Sequence, residues 1–291
     1  MKCKLHMRKV VIIGGCGYIG SQLFSYLTKK KYIVDTVDLE WFGNYTNPQN
    51  IKSDFHDLPK SFYDLYDVVI FMGGHSTVGM CKKDMVGAFR NNVEKFVALT
   101  EKLEKQKLIY ASTYRLYIDS CPDPLSIYDL TKKTLDCFMP FSSLEFYSLR
   151  MATVNGYSQN LRVNQIINKI FLYARNKKKI TLYNQHATFS VLGINDACRA
   201  VEQIIINGDK RGIYNLASFE TNIALIIKKV SKIFKDIAVS IEKHPKTSHS
   251  ITIDTTKFQK NYNFTFEETP ESILSSLLEN LSQKSHLLKS I

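Results

Sequence analysis

The sequence predicts a doubly wound α/β domain built on a parallel sheet, and three observations carry that prediction. Short apolar runs alternate with amphipathic stretches along the first half of the chain. The first run opens directly into a glycine-rich turn, GGCGYIG, and the second closes on an acidic residue, Asp38. Short aliphatic strands separated by helices need both sheet faces covered, which right-handed crossovers supply.

Taken in order, Lys9 to Ile13 reads as a buried strand, and Ile19 to Lys30 as an amphipathic helix whose basic end suits the negative pole of its dipole. Tyr32 to Asp38 is the second strand, and Asp67 to Met72 the next, closing on Gly73 and Gly74. A long helix over about Asp84 to Glu104 precedes the strand Lys107 to Tyr110. Another helix starts near Tyr128, followed by a strand from Phe146 to Arg150. After about Asn155 the spacing loosens. A helix is expected over Val163 to Asn176, a strand over Ile180 to Tyr183, a helix over Ile194 to Ile206 and a strand over Tyr214 to Leu216. Two further helical stretches complete the chain, with no repeat and no low-complexity linker.

Composition bounds the function. Apolar residues make up 44% and charged residues 23%, an ordinary soluble balance that excludes a fibrous or disordered chain. The six cysteines, Cys3, Cys16, Cys81, Cys121, Cys137 and Cys198, are scattered, so reduced thiols in a cytoplasmic protein are expected. The first apolar run is far shorter than the ~20 residues of a membrane span. A net charge of +12 fits either an anionic partner or solvated helix ends, and without aromatic interleaving of the basic clusters nucleic acid is not the expected ligand. The seven histidines show no metal-ligand spacing, so no metal is expected.

The glycine-rich turn carries the first chemistry. Gly14, Gly17 and Gly20 allow a tight turn, close approach of a pyrophosphate and packing of helix on strand. The helix that begins around Tyr18 and Ile19 would aim its N–H groups and partial positive charge at the phosphates. Asp38 stands about the expected ~20 residues further on, where a carboxylate accepts both ribose hydroxyls or simply faces water. Glu40 adds a second negative charge and no arginine accompanies it, so NAD is favoured over NADP. Tyr128 and Lys132 share one helical face, and an adjacent ammonium is expected to lower the phenol pKa and make Tyr128 a usable base. Thr113, just beyond the strand ending at Tyr110, offers a hydroxyl to the same oxygen. Taken alone, Tyr-x-x-x-Lys also fits an ordinary surface pair.

In these motifs the sequence resembles the extended short-chain dehydrogenase/reductase family of nucleotide-sugar epimerases and dehydratases. GGCGYIG resembles its GxxGxxG turn, Asp54-Phe55 its adenine-contacting pair, VVIFMGGHS its strand end before the substrate, and Asn92-Val93 its long-helix "N-V". ASTYRLY, Tyr128 to Lys132, SLRMATVNGYS, GINDACRA and GIYNLAS follow in family order. The resemblance implies an NAD-binding Rossmann domain over residues 1–155 and a smaller α/β substrate-binding region over 156–291, with about 188–216 packing back on the sheet. It implies Tyr128 as base, Lys132 as its partner and Thr113 as the polarising hydroxyl. Gly14, Gly17, Tyr18, Ile19, Gly20, Asp38, Asp54, Phe55, Gly73 and Asn92 would surround the dinucleotide. Asn155, Arg162 and Asn168 are candidates for holding a nucleotide sugar, although each also fits a helix cap or a solvated site. His75, after the Gly73-Gly74 strand end, is either a proton shuttle or a satisfied loop histidine.

Three departures shape the expected activity. Dehydratases of the family follow the threonine with Asp-Glu, whereas Tyr114 and Arg115 stand here. The loop from Thr113 to Tyr128 is short, and an arginine usual before "hV-x-D" is replaced near Phe189 or Ser190. The expectation is therefore an NAD-dependent nucleotide-sugar epimerase, with a ketosugar reductase as the alternative on the same residues and a non-catalytic dinucleotide- or RNA-binding relative as the alternative of another kind. The resemblance is compatible with a homodimer, since many relatives pair through helices beside the site, but the sequence does not set the oligomeric state.

Overall fold

The structure is a computed structural model that describes residues 8–117, 126–183, 185–235, 237–242 and 250–282. Of the cysteines, Cys3 and Cys121 lie outside the described residues. The chain opens with β1 (Lys9–Ile13), α1 (Tyr18–Lys29) and β2 (Ile33–Val37), then a short helix α2 (Lys60–Tyr63) and β3 (Val68–Phe71). Helices α3 (Val78–Lys83), α4 (Met85–Phe89) and α5 (Lys95–Thr100) lead to β4 (Lys107–Thr113), α6 (Ile127–Phe138) and β5 (Phe146–Met151). The later part comprises β6 (Thr153–Asn155), α7 (Ile166–Arg175), β7 (Ile180–Tyr183), β8 (Phe189–Gly193), α8 (Ile194–Asn207), β9 (Gly212–Leu216) and β10 (Phe219–Thr221). It ends with α9 (Ile223–Val230), β11 (Val239–Glu242), α10 (Thr256–Tyr262) and α11 (Pro270–Ser282).

Six strands form one parallel sheet in the order β2-β1-β3-β4-β5-β9. Beyond β2, Ile51 continues the sheet as a single parallel bridge to Val37. The chain turns to opposite sides of β1 at β2 and β3, and the crevice outside the carboxyl ends of these strands is where a ligand fits in this topology. Val10, Val11 and Ile12 have no exposed surface, and burying each aliphatic side chain contributes roughly 1.5–3 kcal/mol. Alternate residues of β1 and β3 feed two cores on opposite faces of the sheet, one against α1 and α8, the other against α5 and α6. A third core joins α7, α9 and α11 to β7.

Three features differ from the pattern read in the sequence. The long helix after Asp84 is broken by a π-helical turn over Arg90–Glu94, which rotates Asn92 inward. β4 runs three residues past Tyr110 to Thr113, because its pairing with β5 continues to Thr113 opposite Met151. Among the described residues three helices rather than two follow β10, and the small strands β6, β8 and β10 make a separate sheet beside the main one. Among the described residues no helix is long and apolar enough to cross a membrane.

Candidate active site

β1 runs straight into Gly14, which has a φ of +81° and donates its N–H to Val37 O at 2.8 Å. A side chain there would place Cβ 2.5 Å from the Gly73 nitrogen, so the ends of β1 and β3 close together only because Gly14 has none. At Gly20 a Cβ would stand 2.1 Å from Gly14 O, and its absence lets α1 lie against the turn. No side chain caps α1. Its first N–H groups and the positive end of its dipole therefore border a cleft of about 490 Å³.

Gly14, Gly17, Tyr18, Ile19, Asp38, Asp54, Phe55 and Gly73 line this cleft, and Gly20 and Asn92 do not. Asp38 accepts the Cys16 N–H at 3.0 Å and the Glu40 N–H at 2.6 Å. Burial raises its pKa, and those N–H bonds pull it back only in part. Glu40 is not the free second charge the sequence suggested: Lys52 Nζ lies 3.2 Å away, and Asn44 and Asn50 donate to it. Asp54 caps the next turn through the His56 N–H at 3.0 Å and pairs with Lys95. The Phe55 ring turns into the core, edge-on to Phe71. Tyr18 likewise points inward, with its hydroxyl donating to Gly156 O at 2.8 Å.

Thr113 ends β4, and Tyr128 is in the first turn of α6, a helix started by a capping box between Ser126 and Asp129. Asp129 is fully buried and also accepts Arg115 Nε at 2.9 and 3.1 Å, so the start of α6 is tied to the end of β4. Burial pushes the Tyr128 phenol up to about 12; Arg162 opposes this most, and the neighbouring Thr113 hydroxyl also lowers it. This corrects the expectation that Lys132 lowers the tyrosine. Lys132 instead points at β4, donating to Ala111 O at 2.7 Å, and burial holds its own pKa down at about 8, with Asp136 raising it. Arg162 stands on the cleft wall, donating to Ser76 O at 3.1 Å.

Three asparagines expected to touch ligand are occupied inside the fold. Asn92 accepts the His75 N–H at 2.7 Å and donates to His75 O at 3.1 Å and Thr131 Oγ1 at 3.2 Å, so it clamps the loop after β3 onto α6. Asn155 takes the Ile167 N–H at 2.9 Å at the start of α7. Asn168 accepts the Gly156 N–H at 3.0 Å and donates to the Tyr18 hydroxyl at 3.2 Å. A side-chain amide has the donor and acceptor of a peptide group, and all three use them on backbone or buried hydroxyls. His75 sits with its ring edge-on to Trp41 at 5.4 Å and 3.6 Å from Asp84. Sequence reasoning missed Asn160, which ties the glycine-rich turn to the loop holding Trp41 by donating to Cys16 O at 2.8 Å and Phe42 O at 3.2 Å. Trp41, half exposed on the cleft wall, was missed too, although it lies only three residues beyond Asp38. Where relatives carry a phosphate-binding arginine, β8 has Phe189 and the fully buried Ser190.

A parallel sheet with a glycine-rich turn at its switch point, and a threonine, tyrosine and lysine gathered beside it, defines an extended short-chain dehydrogenase/reductase fold. The chain belongs to the NAD dependent epimerase/dehydratase family, whose model matches residues 10–217. It is 24% identical over 275 residues to a dTDP-D-glucose 4,6-dehydratase of Dictyostelium discoideum, an alignment that covers 80% of this chain but only 63% of that protein's length. Among solved structures it resembles the UDP-glucose 4-epimerase of Thermotoga maritima, solved with UDP-glucose, at 18% identity and a TM-score of 0.82, covering 94% of this chain and 99% of the other. It is also similar to the UDP-glucuronic acid 4-epimerase of Bacillus cereus, solved with UDP-glucuronic acid and NAD, at 21% identity and a TM-score of 0.79 over 94% and 99% of the two chains.

Proposed function

We propose that this protein is an NAD-dependent nucleotide-sugar epimerase. The observation that carries the reading is that Thr113 and Tyr128 meet at the end of β4, with Lys132 behind them on α6 and Arg162 on the cleft wall. The cleft fits NAD: an uncapped helix N-terminus faces the space a diphosphate needs, and Asp38 is held at the end of β2 for a ribose. With Glu40 paired to Lys52, preference for NAD over NADP rests on Asp38 alone. When bound, NAD supplies a reversible hydride acceptor for the sugar.

The chain's own residues supply the proton chemistry and the orientation. The phenolate of Tyr128, the form that Arg162 and the Thr113 hydroxyl favour and burial opposes, takes the proton of a sugar hydroxyl and returns it after the keto sugar has turned over, with Thr113 holding the same oxygen. Arg162 brings a forked cation suited to the substrate diphosphate and favours the phenolate. Elimination of water needs an acid and a base next to Thr113. The side chain present at the second position, Arg115, is a cation bound to buried Asp129, so the reading departs from the activity of the Dictyostelium relative. Val86 and Phe89 of α4 and Leu130 of α6 are exposed on two helices that pack together, and we assign the contact with a second copy of the chain to this face. Size-exclusion chromatography of Val86→Glu checks it, with a shift to monomer expected.

Incubation with a panel of UDP-, GDP-, CDP- and dTDP-sugars, followed by NMR of the products, tests the activity. One epimer should form without net cofactor consumption. Stoichiometric oxidation or reduction of the dinucleotide would replace the epimerase with a ketosugar reductase. Cofactor binding has its own test. A left-handed backbone costs a non-glycine residue about 1–2 kcal/mol, before the 2.5 Å contact with Gly73 is relieved. Relieving both shifts the turn that faces the diphosphate, so Gly14→Ala is expected to destabilise the fold and to weaken NAD binding by about tenfold. The fluorescence of Trp41, the chain's single tryptophan, reports it from the cleft wall, and an unchanged titration would remove the glycine-rich turn from the cofactor site.

A further inference from the structure

One buried acid lies behind the site and has no place in the chemistry above. Asp136 is one helical turn beyond Lys132 on α6, and its side chain is 2% exposed. Its carboxylate accepts the Tyr110 hydroxyl at 3.1 Å and the Ser112 hydroxyl at 3.1 Å from β4. From β5 it accepts the Ser148 hydroxyl at 2.5 Å and Arg150 Nε at 2.7 Å. Lys132 meanwhile donates to Ala111 O at 2.7 Å. Lys132 and Asp136 thus grip three consecutive residues of β4, and the next residue is Thr113.

We propose that Asp136 is a positioning residue for the reaction: it fastens α6 to β4 and β5 so that Tyr128 meets Thr113, and it supplies the negative charge one turn along the same helical face as the Lys132 ammonium. A neutral strut could hold three hydroxyls more cheaply, because an unpaired buried carboxylate is costly to desolvate. Arg150 pairs with this one acid at 2.7 Å and Lys132 stands one helical turn before it on α6, which accounts for the charge. The other titratable groups near the pair are Tyr110 on β4, whose pKa burial and Asp136 raise, and Cys81 on α3, whose pKa burial raises. Asp129 and Tyr128 lie at the start of α6 itself. Arg90 and Glu94, on the π-turn that also packs on α6, are exposed to solvent.

The inference rests on the proposed role of Lys132, so its test has a readout that does not depend on turnover. In protein carrying isotope-labelled lysine, the Lys132 side-chain resonance is the one missing from Lys132→Met, and its titration is followed by NMR. An opposite charge within about 4–6 Å moves a pKa by about one unit or more. Asp136→Asn is expected to lower the Lys132 midpoint by at least that much, and Asp136→Glu to restore it. The alkaline limb of kcat should move with the midpoint. A midpoint unchanged in Asp136→Asn overturns the proposal and leaves Asp136 a structural strut. If Asp136→Asn does not fold, Arg150→Met serves instead: it leaves the acid to Lys132 and should raise the midpoint, and an unmoved midpoint again overturns the idea. Wild-type protein inactive on every nucleotide sugar would overturn the epimerase reading, while the titration still decides the role of Asp136.

Discussion

Tyr128→Phe is expected to lose turnover by about 10²–10⁴-fold, the usual contribution of a positioned acid–base group, while binding NAD as the wild type does. The substitution removes one oxygen and leaves the ring in place, because the start of α6 is held by the Ser126–Asp129 capping box and by Arg115 rather than by the phenol. The cofactor contacts assigned above are at the glycine-rich turn and Asp38, on the lining of a cleft to which Tyr128 does not contribute, so the Trp41 titration should be unaffected. A fall in kcat with unchanged NAD affinity would assign the proton transfer to this oxygen. Undiminished activity in Tyr128→Phe would sink the mechanism.

The parts of the fold legible in the sequence are those whose information is local. β1 and β3 are short continuous apolar runs bounded by glycines or turns, which fit a strand covered on both faces, and Val10, Val11 and Ile12 are all fully buried. α1 and α8 repeat apolar residues at helical spacing and were bounded to within a residue or so. β6, β8 and β10 were not legible, since strands of three to five residues are defined by partners far away, such as Thr221 opposite Phe189. The π-turn at Arg90–Glu94 has no signature beyond a helical pattern that drifts.

The same distinction runs through the site. Tyr-x-x-x-Lys places two side chains on one helical face, but it does not say what the lysine reaches. In the fold Lys132 reaches Ala111 O, and the cation acting on Tyr128 is Arg162, thirty-four residues further along the chain. Asn92, Asn155 and Asn168 were read as ligand contacts from the family resemblance, with a helix cap or a solvated position left open for Asn155 and Asn168. Only the fold reveals that backbone groups and buried hydroxyls take those amides first. Glycine is the opposite case: Gly14 was legible because no other residue tolerates that backbone and that neighbour.

Lys132→Met is expected to abolish activity and to raise the melting temperature at neutral pH. Burial lowers the Lys132 pKa from the ordinary 10.5 to about 8. Between those values the unfolded chain binds a proton that the native state does not, so wild-type stability rises with pH through this window. Below about pH 8 the full penalty of the buried ammonium applies, about 3 kcal/mol at 1.36 kcal/mol per pKa unit. Methionine removes that penalty and keeps most of the packed volume. It leaves Ala111 O without its donor, which takes back about 1 kcal/mol, while Asp136 still has Arg150 as counter-ion. A net gain of about 1–2 kcal/mol is expected at pH 7, and it should shrink steadily above pH 8 and be gone by about pH 10. Melting curves of both proteins across this range check the sign. If the variant melts below the wild type at pH 7, or its advantage grows with pH, Lys132 is not held at an energetic cost. A stabilised, inactive variant would mean that this lysine is buried for what it does to a bound ligand, because the fold by itself is better off without its charge.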